Sequence, residues 1–179
     1  QSNGGFIMAI IFPASQTGEM VGESWRITSS FTGDNNLIGG NSLVNWELSD
    51  DVYGGSTQSS AILSHSNGQF TFGSEYYGYY FVFFSNYSYF NDNNQYNELS
   101  LMVSWNSGAN WDTHAWATCH FSPNTSANYN SVACNGSVVA GTSAARLRFN
   151  LNAQNNSAIT YGDTTGTGTG FTIVKIADI

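Results

Sequence analysis

Serine, histidine and aspartate, the residue types of a nucleophilic triad, all occur in this 179-residue chain. No Gly-x-Ser-x-Gly elbow lifts a serine onto a strand-to-helix turn, and no spacing joins a nucleophile to a base and an orienting group. The run Gly166-Thr167-Gly168-Thr169-Gly170 has the glycine density of a phosphate loop. A phosphate loop needs a helix N-terminus behind it, and a strand-like segment follows here, so it reads as a turn. Asp112, His114 and His120 share one strand parity and have metal-ligand chemistry, against the reading of outer-face side chains that are solvated or packed at an interface. Asp34, Asp50, Asp51 and Asp92 lie in polar loops where oxygen could meet calcium, but no loop has EF-hand spacing. No catalytic residue, metal or cofactor is assigned from these patterns. The chain is expected not to be an enzyme.

Cys119 and Cys134 flank a polar stretch, Ser122 to Ser131, which suits a hairpin. A symmetric register about its centre sets Cys119 opposite Cys134 and Phe121 opposite Val132, with Ala117 and Val138 on the same face. Opposed residues lie within disulfide reach, so the pair reads equally as a bridge or as two buried thiols. Four N-x-Ser/Thr sequons begin at Asn86, Asn124, Asn135 and Asn155, as chance allows in a chain so rich in Asn and Ser.

The elements that must position these residues are strands. Charged residues are only 9 % of the chain, while aromatics are 15 %. Disordered chains are poor in aromatics, so disorder is excluded. The longest apolar run, Phe6 to Pro13, is far too short for a membrane-spanning helix. The net charge is -8, and Arg26, Arg146, Arg148 and Lys175 are the only basic residues. Nucleic-acid binding by counterion release needs clustered Lys and Arg, so nucleic acid is not an expected partner. A surface of Asn, Ser and Thr suits an extracellular or virion-exposed protein.

Short runs of β-branched and aromatic residues, bounded by Gly, Asn, Asp and Ser, predict strands over 6–12, 25–31, 43–48, 61–64, 69–73, 79–89, 98–105, 114–121, 132–139, 146–151 and 169–176. Asn67-Gly68 and Asn135-Gly136 are predicted turns, and Asn106-Ser107-Gly108 a strand end. Leu147, Phe149 and Leu151 alternate with Arg146, Arg148 and Asn150, which marks one core face and one wet face. The run Tyr79 to Phe84 is apolar at both parities and calls for burial on both sides. The fold class is all-β, a sandwich of about ten antiparallel strands filling residues 1–179 as one domain, with an N-terminal strand and connection over 1–24 and the main sandwich over 25–176.

The run Asn67-Gly68-Gln69-Phe70-Thr71-Phe72, followed by Gly78-Tyr79-Tyr80-Phe81-Val82-Phe83-Phe84, resembles the C1q/TNF-like jelly-roll family. Phe72, Gly78, Tyr80 and Phe84 match the family's central-strand pattern, while Val82 stands where it usually has Phe. The pair Gly136–Val139 and Arg146–Phe149 is similar to the family's late strands, and Gly170–Ile176 to its closing strand. Trp25-Arg26-Ile27-Thr28, Phe31-Thr32-Gly33-Asp34-Asn35 and Asn45-Trp46-Glu47 bring the style nearest to C1q-like domains of phage virion proteins. The resemblance implies a jelly roll with Tyr80, Val82 and Phe84 in the core. It also implies a homotrimer whose interface takes the other parity: Tyr79, Phe81, Phe83, Tyr87 and Tyr89. The implied function is a virion-surface structural protein for capsid decoration or fibre-tip host attachment, with itself, other virion proteins or a host glycan or receptor as partners and without membrane insertion. The alternative is a secreted or cell-surface lectin-like module whose exposed Trp and Tyr stack on sugars.

Overall fold

Alternation along one long strand organises the molecule. The structure is a computed structural model that describes residues 21–32, 46–49, 62–90, 96–120, 128–153, 158–165 and 168–179. Its strands are β1 (Gly22–Ile27), β2 (Phe31–Thr32), β3 (Trp46–Leu48), β4 (Leu63–Ser66), β5 (Gln69–Phe72), β6 (Gly78–Phe90), β7 (Tyr96–Ser104), β8 (Asp112–His120), β9 (Asn128–Ala140), β10 (Arg146–Ala153), β11 (Ile159–Thr160) and β12 (Gly170–Ala177). A 3-10 turn, Ser74–Tyr76, precedes β6. The expected strand over 6–12 lies outside the described residues.

In the first sheet β6 is the spine. β9 pairs it along its whole length, from Gly78↔Ala140 to Phe90↔Asn128. On the other side of β6 lie β12, through Phe84↔Phe171, and then β11, through Ser88↔Thr160. β12 continues to β1 and β1 to β3, while β11 carries β2. The second sheet runs β4-β5-β10-β7-β8. Every pairing in both is antiparallel. This is the expected jelly-roll sandwich.

The core is where the inward parities meet. Tyr80, Val82 and Phe84 of β6 and Leu147, Phe149 and Leu151 of β10 are all buried, as expected. Phe149 sits 4.5 Å from Phe84 and 4.4 Å from Phe171 between ring centroids, and Phe70 lies 4.8 Å from Phe171. Trp25 and Trp46 close on Phe70 edge-on, the geometry that aromatic quadrupoles favour. Polar groups clasp the two sheets at one side. The buried Glu23 carboxylate of β1 accepts from Trp25 Nε1 at 2.7 Å, from the Leu63 amide at 2.9 Å and from the Ile62 amide. Beside it the Arg26–Glu47 ion pair, 2.7 Å, ties β1 to β3.

Two local expectations are corrected. Asn67 and Gly68 have φ of 50° and 70° and turn the β4–β5 hairpin as predicted, but Asn135-Gly136 is no turn. It lies inside β9, where Gly136 faces the core. A Cβ there would stand 3.3 Å from Ala115 Cβ and from Leu101 Cδ2, so glycine lets the opposing sheets approach. The second correction concerns the cysteines. β8 and β9 follow one another in the chain but belong to opposite sheets and do not pair. Cys119 stands opposite Asn97 in one sheet and Cys134 opposite Phe84 in the other, so the hairpin register fails and both cysteines are free. Two consecutive strands with matching apolar parity look alike whether they pair edge to edge or face each other across a core.

Candidate functional site

The outward parity of β6 is a row of rings. Tyr79, Phe81, Phe83 and Tyr87 are exposed, with Phe83 half open to solvent at 50 %, and Tyr89 is partly covered. The Phe81 and Phe83 rings stand 6.4 Å apart along the strand. Neighbouring strands extend the row by register. Val139 of β9 lies opposite Tyr79, and Val174 of β12 lies opposite Phe81. These flanking residues were not anticipated, although the alternation of Tyr129, Ser131, Ala133, Asn135, Ser137 and Val139 with the buried Val132, Cys134 and Val138 is present in β9.

At the C-terminal end of β6 the row becomes a tyrosine cluster. Tyr129 stacks nearly parallel on Tyr87 at 5.8 Å, lies 5.0 Å from Tyr89 and stacks on Tyr161 at 6.2 Å. Desolvation, then the neighbouring Tyr129, Tyr87 and Tyr89 phenols, hold the Tyr161 phenol above its ordinary pKa. Beside Phe83 the face has a shallow hollow of about 170 Å³, where Ser85, Ala133 and Gly170 leave space between larger side chains. A ring and a hollow thus sit side by side on one face.

The chemistry-bearing residues are dispersed. A bulge in β8 opposite Leu101 and Met102 breaks the parity that Asp112, His114 and His120 were expected to share. Asp112 falls in the inward register opposite Val103, His120 in the outward register opposite Tyr96, and the His114 ring reaches the Ser137 carbonyl of the other sheet. No cluster of three His, Cys, Asp or Glu able to hold a metal occurs among the described residues. Asp34, Asp50, Asp51 and Asp92 lie outside them. Both thiols lean toward the core, and burial pushes Cys134 up to about 11 and raises Cys119, which removes thiolate character at neutral pH.

Two sequons can be placed. The Asn86 side chain is buried, donating to Ser88 Oγ at 2.5 Å and accepting from Thr169 Oγ1 at 3.0 Å, so the folded chain cannot carry a glycan there. Asn135 is exposed and directly opposite Phe83. Asn124 and Asn155 lie outside the described residues.

A second aromatic site went unrecognised. The β7–β8 connection, Trp105 to Trp111, borders with Asp112 an open cleft of about 580 Å³ lined by Trp105, Asn106, Asn110, Trp111 and Asp112. The signal was present in Trp-Asn-Ser-Gly-Ala-Asn-Trp-Asp, which reads as a turn until the two indoles are seen to line one cleft.

The sequence matches no protein-family model and no curated protein. Among solved structures it is similar to the crystal structure of murine APRIL at pH 5.0, with a TM-score of 0.57 at 14 % identity over 88 % of this chain and all of that one. At that identity the likeness is one of fold, and the fold is the TNF-like jelly roll.

Proposed function

We propose that this chain is a non-enzymatic jelly-roll head that assembles as a homotrimer through the outer face of the first sheet and serves at a virion surface, in capsid decoration or fibre-tip attachment to a host. The observation that carries the association is the exposed row Tyr79, Phe81 and Phe83 on β6. A sheet in a sandwich ordinarily buries one face and wets the other with polar side chains. Contiguous rings left in water make a patch larger than monomers usually tolerate. Burying such rings contributes roughly 1.5–3 kcal/mol each, enough across three copies to drive association against its entropic cost.

The hollow beside Phe83 favours a cyclic arrangement. A ring of one copy entering a hollow of the next is a head-to-tail contact between different patches, and such contacts close into rings when the rotation permits. The C1q/TNF-like resemblance and the TNF-like fold support threefold closure. The virion setting rests on the resemblance of the Trp25–Thr28, Phe31–Asn35 and Asn45–Glu47 segments alone.

Light scattering tests the assembly. The wild-type chain is expected at three times its 19.4 kDa, and Phe81→Asp and Phe83→Asp, checked for fold by circular dichroism, at the monomer mass. A wild-type monomer would overturn the trimer. Detection of the chain in purified virions tests the setting.

A further inference from the structure

We propose that the cleft between Trp105 and Trp111 is a binding site for a neutral pyranose sugar, the indoles stacking on its C–H face while Asn106, Asn110 and Asp112 bond its hydroxyls. The inference deepens the attachment reading and rests on it for a biological setting, but the cleft lies wholly within one subunit. The cleft, about 580 Å³, stands open to solvent with room for a single sugar ring. Trp105 is 48 % exposed, a large cost for an indole with nothing to cover it.

The loop is held in place before any ligand arrives. Ser107 and Gly108 take φ of 59° and 88°, which folds the chain back on itself. Ser104 Oγ accepts from the Gly108 amide at 2.9 Å, and the Ser107 amide donates to the Ala144 carbonyl at 2.9 Å. The Arg148 guanidinium lies 4.2 Å over the Trp111 ring and fixes that wall. Preorganisation of this kind lowers the entropic cost of binding.

The polar groups select the ligand class. Asn106 Oδ1 accepts from Ser104 Oγ at 3.0 Å and from the Asn110 amide at 2.9 Å, which orients the Asn106 NH2 as a free donor. Asn110 and Asp112 are exposed and add a second amide and a carboxylate acceptor. Donors and an acceptor beside two indoles that line one cleft match a ring that has hydroxyls at its edge and C–H bonds on its face. Asp112 and a net charge of -8 disfavour phosphate, sulfate and sialic acid. The cleft belongs to the second sheet's β7–β8 turn, whereas the association face belongs to the first sheet, so a trimer presents three open clefts. Linked sites of this kind raise avidity by about 10²–10⁴-fold over one site.

The test is a glycan array with the full chain, followed by saturation-transfer NMR with methyl pyranosides of glucose, mannose, galactose and N-acetylglucosamine. Retention of at least one neutral glycan is expected, and Trp105→Ala and Asn110→Ala, each with wild-type circular dichroism and mass, should weaken it at least tenfold. Asn110→Ala, altering an exposed side chain, keeps the test valid should Trp105→Ala misfold. Three results would each overturn the inference: no neutral glycan retained, retention of acidic glycans or peptides only, or binding unchanged in both variants. Phe83→Asp separates this site from assembly, since it should abolish array avidity while leaving the single-site NMR signal. A wild-type monomer that still gives the NMR signal would defeat the trimer and leave the sugar site standing.

Discussion

Glu23 has few charged companions in a chain this poor in charge, yet it is buried and takes three hydrogen bonds. Its donors come from both sheets, so the carboxylate acts as a clasp and not as a reagent. Glu23→Ala orphans the Ile62 and Leu63 amides and Trp25 Nε1, and each buried unsatisfied group costs about 1–3 kcal/mol. Urea denaturation is expected to show a loss near the upper end of that range; a loss under about 0.5 kcal/mol would rule out the clasp. Desolvation raises the Glu23 pKa above its ordinary value, partly offset by those hydrogen bonds. The folded state then binds the proton more tightly than the unfolded chain. The protonation-linked part of the Glu23 contribution is therefore fully present below the ordinary carboxylate pKa and is lost as pH rises through the raised one. The stability gap between wild type and Glu23→Ala should narrow across that window and hold constant above it, and a gap that widens with pH would contradict the assignment.

At the scale of the element, β6 is long because both its flanks are paired and both its faces are apolar. Its first residue has to be glycine for a steric reason. A Cβ on Gly78 would collide with the Ala177 carbonyl oxygen and would sit about 2.5 Å from Lys175 Cε, at the bulge where β12 shifts register. Lys175 can move, although it is held 2.5 Å from Asp178, but the backbone carbonyl cannot without losing the ladder. Gly78→Ala is expected to lower stability by about 1–3 kcal/mol, as overpacking does, and to lower the melting temperature by several degrees. An unchanged melting temperature would mean that β12 repacks freely there. The β8 bulge shows the opposite use of irregularity: one extra residue sends His114 to the other sheet and ends a parity that three potential ligands would have needed.

For the whole molecule, the exposed row on the proposed association face is made of Tyr, Phe and Val side chains without a charge among them. Salt shortens the Debye length from about 10 Å at 0.1 M to about 3 Å at 1 M, which weakens exposed ion pairs and leaves apolar burial intact. Sedimentation equilibrium is expected to give the same assembled mass at both salt concentrations. Dissociation at high salt would place the contact elsewhere, on a charged surface. Asn135, opposite Phe83, gives the face a second character, because a glycan there would stand where a second subunit is proposed to pack.

Strand identity, the apolar character of both β6 parities and the inward row of β10 followed from the sequence, because side-chain alternation with period two is a local property that each strand carries alone. The jelly-roll class and the inward turn of Tyr80, Val82 and Phe84 came instead from the resemblance to the C1q/TNF-like family. The same alternation left Cys119 and Cys134 ambiguous, since inward-facing strands obey one pattern whether they are neighbours in a sheet or opposed across the core. Only the tertiary structure separated these cases, by assigning β8 and β9 to different sheets. It also decided what single-residue shifts hide: the bulge that disperses Asp112, His114 and His120, the burial of Asn86, and the close approach at Gly136. The cleft at Trp105 and Trp111 was written in the sequence as a turn. That two indoles six residues apart line one cleft depends on two positive φ angles, on Arg148 from β10 and on Ala144 from another loop, and contacts between distant segments have no local signature.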